Sequence, residues 1–263
     1  MSPRLKVAER AEAPGSPFPD SPEPGFFIFR NMNKLVFCAS VCIGLFFAAC
    51  GDDSSSATSS SGNGSFSTMA DSRDGQTYKT VTIGSQTWMA ENLNLRTADS
   101  YCYSIDESYC AKYGRIYTWA AAMDSAGSWS ANGDGCGYNK TCSPTYPVRG
   151  VCPVGWHLPT KAEFETLFTA IGGISNAGKM LKTTSGWEYS GNGTDDYSFS
   201  ALPAGFRYRN GNFGNVGYES LFWCSTEDDS ESACYVYMSH LNDDAKLRNN
   251  FKNLGYSVRC VKD

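Results

Sequence analysis

Two sets of residues in this chain carry chemistry by type and spacing: aromatic rings set among glycines and asparagines, and cysteines in even number. The chain has 15 Tyr, 15 Phe and 6 Trp. In its second half many of them stand in turn-rich segments, namely Trp187, Tyr189, Tyr197, Tyr208, Phe213 and Tyr218. Flat rings stack on the C–H faces of pyranose sugars, while neighbouring Asn and Asp side chains take the hydroxyls. The run Gly211-Asn212-Phe213-Gly214-Asn215-Val216-Gly217-Tyr218 combines both, which adds Asn212 and Asn215 to the candidate ligand-binding set. The competing expectation is plainer: a small domain of short strands packs many of its rings into the core.

Catalytic patterns are scarcer. No Gly-x-Ser-x-Gly elbow occurs. Of the two histidines, His157 stands between Trp156 and Leu158, a setting that favours a structural hydrogen bond over catalysis. Asp195 and Asp196 offer an acid and base pair, but adjacent acids in a Gly-rich loop are usually solvated. The run Asn242-Asp243-Asp244 supplies oxygen ligands of the kind calcium takes, against the simpler reading of a charged turn. No catalytic residue and no cofactor is assigned, with calcium the one ion that the residues would suit.

The cysteines are more informative. Of 11 in all, Cys38, Cys42 and Cys50 fall in an apolar N-terminal segment, and eight remain. An even set in an exported chain reads as disulfides, although eight cysteines can pair in about a hundred ways. Sequence proximity suggests Cys102 with Cys110, Cys136 with Cys142 and Cys224 with Cys234, leaving Cys152 for Cys260. A zinc or redox cluster is not favoured, because no Cys-x-x-Cys pair occurs and histidines are few.

The apolar segment explains the export. Residues 1–31 are Pro-rich and polar and read as an extension upstream of the true start at Met32. Met32-Asn33-Lys34 is a short basic region, and the apolar stretch over 35–49 is too short to span a bilayer but suits an export signal. It ends Leu45-Phe46-Phe47-Ala48-Ala49-Cys50-Gly51, which resembles a bacterial lipoprotein signal occupying 32–50, with Cys50 as the lipidated residue. Residues 51–72, rich in Ser and Gly, then form a flexible tether that holds the domain off the lipid. From residue 50 onward 17 basic residues face 23 acidic ones, a net charge of −6 with no basic run. That balance argues against nucleic acid as a partner and leaves the lipid as the membrane contact. The expected location is the cell envelope, on the outer membrane.

The folded domain is expected over 73–263. Residues 78–83 and 86–89 read as a hairpin around Gly84-Ser85. Ile116, Trp119, Ala120 and Met123 predict a helix over 113–123. A second helix has a marked start: Thr160 and Glu163 form a capping box. Phe164, Leu167, Phe168 and Ile171 make one apolar stripe, and Gly172-Gly173 stops it. A turn-rich stretch follows to Tyr197, then strands over 199–202, 206–208, 220–225, 233–238 and 256–261. Two helices and many short strands predict an α+β domain with a small twisted antiparallel sheet and long disulfide-braced loops.

Six phrases in order make the chain similar to a known family. They are G-Q-T-Y-K-T-V-T-I-G-S-Q-T-W-M-A-E-N-L (75–93), Y-G-R-I-Y-T-W-A-A-A-M (113–123) and V-C-P-V-G-W-H-L-P-T (151–160), then A-L-P-A-G-F-R (201–207), F-W-C-S-T-E (222–227) and G-Y-S-V-R-C-V-K-D (255–263). They closely resemble the Fibrobacter succinogenes major paralogous domain family, whose members are found largely in surface lipoproteins of fibre-degrading and gut bacteria. More distantly, 157–165 and 204–207 look like segments of the formylglycine-generating enzyme fold, a relative of the C-type lectin fold. This resemblance implies a C-type-lectin-like domain with two helices, a small sheet linking first and last strands, and a long irregular loop region. It also implies two alternatives in function. One is a non-catalytic binding domain for an extracellular polysaccharide or an envelope protein. The other is an oxidase, which would need two reduced cysteines to hold copper. A purely structural surface protein is the third class. The E-P-N or Q-P-D triplet of calcium-dependent sugar-binding lectins does not occur. Cys224 and Cys234 stand where relatives are expected to carry Ser and an aromatic residue, which implies an added hairpin disulfide.

Overall fold

The computed structural model describes residues 66–263. The N-terminal extension, the signal, Cys50 and most of the tether lie outside the described residues. In chain order the strands β1 (Ser67–Ala70), β2 (Thr77–Ile83), β3 (Gln86–Met89) and β4 (Ser100–Tyr101) come first. A 3-10 turn (Tyr103–Ile105), α1 (Glu107–Tyr113), β5 (Ile116–Thr118) and α2 (Trp119–Ala122) follow. After a long loop come β6 (Trp156–His157), α3 (Lys161–Ala170), α4 (Ile174–Leu181), β7 (Ala204–Arg207) and β8 (Phe213–Val216). The chain closes with β9 (Glu219–Glu227), β10 (Ser232–Ser239), β11 (Ala245–Phe251), β12 (Gly255–Ser257) and β13 (Val261–Lys262).

The α+β class stands, but the single small sheet becomes two. One runs β1-β2-β3-β13-β6, the other β11-β10-β9-β12-β5-β4 with the β7-β8 hairpin attached through β12. All pairs are antiparallel except β12 with β9. The reason for two sheets lies in the last strand expected over 256–261. It breaks at Val258-Arg259-Cys260, three buried residues that carry the chain from the second sheet into the first. There Val261 pairs with both Trp88 and His157, so the end of the chain links the opening hairpin to the middle of the sequence.

Several local expectations hold and others do not. The hairpin over β2 and β3 forms, with Ile83 opposite Gln86 and Gly84 at φ +60°. The capping box forms too: the Glu163 amide donates to Thr160 Oγ1 at 3.2 Å, and Glu163 Oε2 accepts from the Thr160 amide at 2.7 Å. The helix expected over 113–123 forms only as the single turn α2 over Trp119–Ala122. Gly114, at φ +74°, ends α1, and Ile116–Thr118 is drawn into the sheet between β4 and β12. Tertiary pairing of Ile116 and Tyr117 thus outweighs the helical spacing of the segment. The helix α4, not expected, starts directly after Gly172 and Gly173, and its Gly178 lets it lie against the Asp244 backbone. The strand over 199–202 shrinks to one bridge between Lys182 and Ala201, because Ser198 and Ser200 adopt left-handed backbone around the Asp195 carboxylate. At the other end β1 lies inside the stretch expected to be tether.

Three of the four expected disulfides are present: Cys102–Cys110, Cys136–Cys142 and Cys152–Cys260. The fourth is corrected. Cys224 on β9 and Cys234 on β10 are free and buried, with their sulfurs 2.7 Å apart and unbonded. A register shift between Ala233 and Tyr235 leaves Cys234 without a directly opposed residue on β9.

The core divides into two clusters. One gathers Trp119, Trp223, Tyr256, Leu158 and the Cys152–Cys260 sulfurs; the other packs Phe164, Leu167, Phe168 and Leu181 against Trp88, Phe222 and Val236. Between β6, α3 and the chain end sits His157. Its Nδ1 meets Asp263 Oδ1 and its Nε2 meets Glu163 Oε1, each at 2.7 Å, so the imidazolium satisfies both carboxylates. Burial alone would lower the His157 pKa, but these two hydrogen bonds outweigh it and raise it. Burial likewise would raise Glu163, yet His157 and the Thr160 amide hold it below its ordinary value.

The sign of the pH dependence follows. A raised histidine contributes stability that is complete below about pH 6.5 and is lost as pH rises through the folded value. A depressed glutamate contributes stability that is complete above about pH 4.3 and is lost as pH falls through its folded value. The thermal midpoint should therefore be highest between these limits as far as this cluster decides it. His157→Gln should flatten the decline on the alkaline side; an unchanged slope in a melting series across pH would refute the clamp.

Candidate functional site

The Cys102–Cys110 disulfide folds the chain back over a sequence separation of 8 and presses the 3-10 turn against α1. Asp106 caps that helix, its carboxylate accepting from the Ser108 amide at 2.9 Å. Tyr109 and Tyr113, four residues apart, share one face, and their rings stack at 6.0 Å. Tyr103 adds a ring 5.2 Å from Tyr109, and Phe213 from β8 lies 5.3 Å from Tyr103. The result is a continuous ladder of four rings.

Tyr109 and Tyr113 of this ladder line one wall of an open groove of about 560 Å³, and Tyr103 and Phe213 continue the ladder beyond it. The rest of the lining comes from Gly186, Trp187 and Glu188 and from Val216 and Gly217, tied together by a hydrogen bond from the Glu188 amide to Gly217 O at 2.9 Å. The volume is of the size that holds a small ligand or a few sugar units. Lys112, lying 4.7 Å over the Tyr113 ring, and Glu188 are the charged groups of the lining. One cation and one anion leave the groove without net charge.

A second group of rings follows directly in the chain from the groove's far wall. Tyr189 succeeds Glu188 and Tyr218 succeeds Gly217; together with His240 they form a triangle with centroids 5.1 to 6.0 Å apart. Tyr189 is 78% exposed on left-handed backbone at φ +48°, an arrangement costly enough to mark the position. Burial raises the pKa of Tyr103, and the neighbouring Tyr189 phenol raises that of Tyr218, so both keep their hydroxyl hydrogens at neutral pH.

Of the residues expected to bind ligand, Trp187 lines the groove, Tyr189 and Tyr218 directly follow lining residues in the chain, and Phe213 joins only through Tyr103. Although it lines the groove, Trp187 is only 5% exposed and spends its Nε1–H on Thr183 Oγ1 and Ala201 O, with the Lys182 ammonium 5.0 Å from its ring. Tyr197 packs beside the core under α4. Tyr208 rests on Phe206 at 4.5 Å, away from the groove lining. The Asn212 amide and carbonyl close the turn before β8, and Asn215 Nδ2 donates to Glu219 Oε2 at 2.8 Å. Tyr103, Tyr109, Tyr113 and Lys112 were missed by the sequence reading. The signal was present: two cysteines bracket Tyr103 and Tyr109, and Tyr109 and Tyr113 have helical spacing.

The metal candidates fare differently. Around Asn242-Asp243-Asp244 the protein supplies its own cations: Lys182 Nζ donates to Ser239 O and Asn242 O at 2.9 and 3.0 Å, Lys179 faces Asp243 and Lys246 faces Asp244. These ammonium groups take the charge that a calcium ion would have neutralised. Among the described residues the one close group of metal-ligating types is Cys102, Glu107 and Cys110, whose sulfurs are spent in a disulfide. The free thiols of Cys224 and Cys234 lie under α3, away from any lining, and burial pushes the Cys224 thiol well above its usual pKa.

With this geometry in place, the match to known sequences becomes interpretable. The model of the Fibrobacter succinogenes major domain matches residues 81–262. The chain belongs to this family. No curated protein and no solved structure is a significant match. The family span begins within β2 and ends in β13, so it contains both groove walls, all three disulfides and the crossing stretch at 258–260. The β1 strand lies outside it.

Proposed function

We propose that this member of the Fibrobacter succinogenes major domain family is a non-catalytic, lipid-tethered surface protein that binds polysaccharide in the groove between α1 and residues 186–188. The observation that carries this is the stacked pair Tyr109 and Tyr113 lining an open cavity with no net charge, with Tyr103 and Phe213 continuing the row of rings outside it. Half-buried tyrosines offer stacking faces together with hydroxyls that pair with sugar, and they lose little conformational freedom on binding. The lipoprotein-like signal and the disulfides fit a domain working outside the cell. A C-type-lectin-like ancestry fits the joining of early and late strands through β3 and β13. The oxidase reading loses support, because copper held by thiolates needs an approach from solvent and the two unbonded cysteines have none.

Tyr109→Ala should weaken retention on insoluble polysaccharide, or affinity for its soluble fragments, by about tenfold, roughly 1.4 kcal/mol, with the melting temperature little changed. Undiminished binding by this variant, or capture of an envelope protein with no affinity for any polysaccharide, would overturn the proposal.

A further inference from the structure

Behind α1 lies a second recess, of about 240 Å³, and it shares Lys112 and Tyr113 with the groove. Gln76, Thr77, Glu91 and Asn94 contribute to its lining. The helix end stays close to this segment because Gly114 carries no side chain; a Cβ there would stand 2.7 Å from Asn92 Cβ. Asn94 is the unusual member. Its backbone is held on both sides, its amide donating to Tyr78 Oη at 3.0 Å and its carbonyl accepting from Gln76 Nε2 at 3.4 Å. Its side-chain amide makes no hydrogen bond among the described residues, although Oδ1 is shut away from solvent. Native proteins seldom leave such a group unpaired, and it is often one that a ligand or water completes. Next to it Glu91 uses Oε2 to accept from the Lys79 amide at 2.7 Å and leaves Oε1 free.

We infer that this recess is a second sugar subsite, so that the ligand is an extended neutral polysaccharide bound along its length across Lys112 and Tyr113. The inference rests on the polysaccharide reading of the groove and deepens it. The unused Asn94 Nδ2 group offers donors and the free Glu91 Oε1 an acceptor to the hydroxyls of a pyranose ring. The rings lie in the groove and the amides in the recess, so one ligand reaches both only if it is several units long. Charge selects among polysaccharides: Lys112 stands between Glu188 on one side and Glu91 on the other, and one cation between two carboxylates disfavours a uronic or sulfated chain.

The test is calorimetric titration of the full chain with β-linked gluco-oligosaccharides and xylo-oligosaccharides of two, four and six units. The six-unit chain should bind at least about tenfold more tightly than the two-unit chain, because only the longer one engages both cavities. Asn94→Ala should erase most of that gain and leave affinity for the two-unit sugar unchanged. Thr77→Trp, which fills the recess from an exposed position, should do the same if loss of the Asn94 side chain disturbs folding. Equal affinity for short and long chains, or wild-type affinity for the six-unit chain in both variants, overturns the subsite. If Tyr109→Ala still weakens binding about tenfold in that case, the groove reading survives alone. Failure of every oligosaccharide to bind the wild-type chain overturns both.

Discussion

Replacing Cys152 and Cys260 together by alanine is expected to lower the unfolding free energy by about 4 to 5 kcal/mol, the chain-entropy value for a loop of roughly 100 residues. The bridge joins residues 108 apart, with a Cα–Cα distance of 6.0 Å. Its sulfurs lie in the core among Leu158, Val151 and Val258, so the link constrains the unfolded chain without hanging from a mobile surface. For a domain of this size the loss corresponds to a fall in melting temperature of about 10 to 20 °C. The same double change at Cys102 and Cys110 closes a separation of only 8 and should cost roughly 2 kcal/mol less. It should instead damage binding, because that bridge carries Tyr103 and Tyr109. Denaturant titrations of both variants with equal losses would contradict the loop-length account.

Arg259→Met is expected to destabilise the fold by roughly 3 to 5 kcal/mol, among the largest effects of any single change. The guanidinium is fully buried where the chain passes between the sheets. Its nitrogens donate to Asn92 Oδ1 at 2.6 and 3.1 Å, to Met89 O at 3.3 Å, to Ser200 O at 3.2 Å and to Phe199 O. Phe199 and Phe222 cover it, with ring centroids 4.6 and 5.2 Å away. No carboxylate is among its hydrogen-bond partners, and burial pulls its pKa down to about 9, which still leaves it charged at neutral pH. An apolar replacement of a buried ion pair is often tolerated, but here it strands four acceptors at about 1 to 3 kcal/mol for each that water cannot reach. Arg259→Lys should recover little, since one ammonium cannot span Asn92 Oδ1 and the Phe199 carbonyl at once. A urea midpoint within the error of the wild type for the methionine variant would show that water enters and satisfies these groups.

Much of the architecture was legible because it is written locally. The capping box at Thr160 and Glu163, the apolar stripe from Phe164 and the hairpin around Gly84 are short-range signals, and all three form. The distant pairing of Cys152 with Cys260 followed from elimination among even cysteines. What failed was decided by contacts far apart in sequence. Ile116 has helical spacing with Trp119, Ala120 and Met123, yet Ser257 claims it for a sheet. The crossing at Arg259 split one expected strand in two, which no pattern of six residues could reveal. In the site the same contrast holds. Aromatic content in Gly and Asn loops pointed to Trp187, which lines the groove, but not to the carbonyl and hydroxyl that hold its N–H and keep it buried. Tyr109 and Tyr113 become a wall only once residues 186–188 and 216–217 are brought opposite them.

The strand β13 has one further consequence. Its partners are β3, near the start of the domain, and β6, near the middle, while β12, a few residues earlier, lies between β5 and β9. A chain that emerges from a ribosome or a translocation channel with its N-terminus first can complete neither layer until residues 255–262 have come through. Every nascent or half-threaded form is thus kept open and pliable, and the domain locks only after its final segment is released.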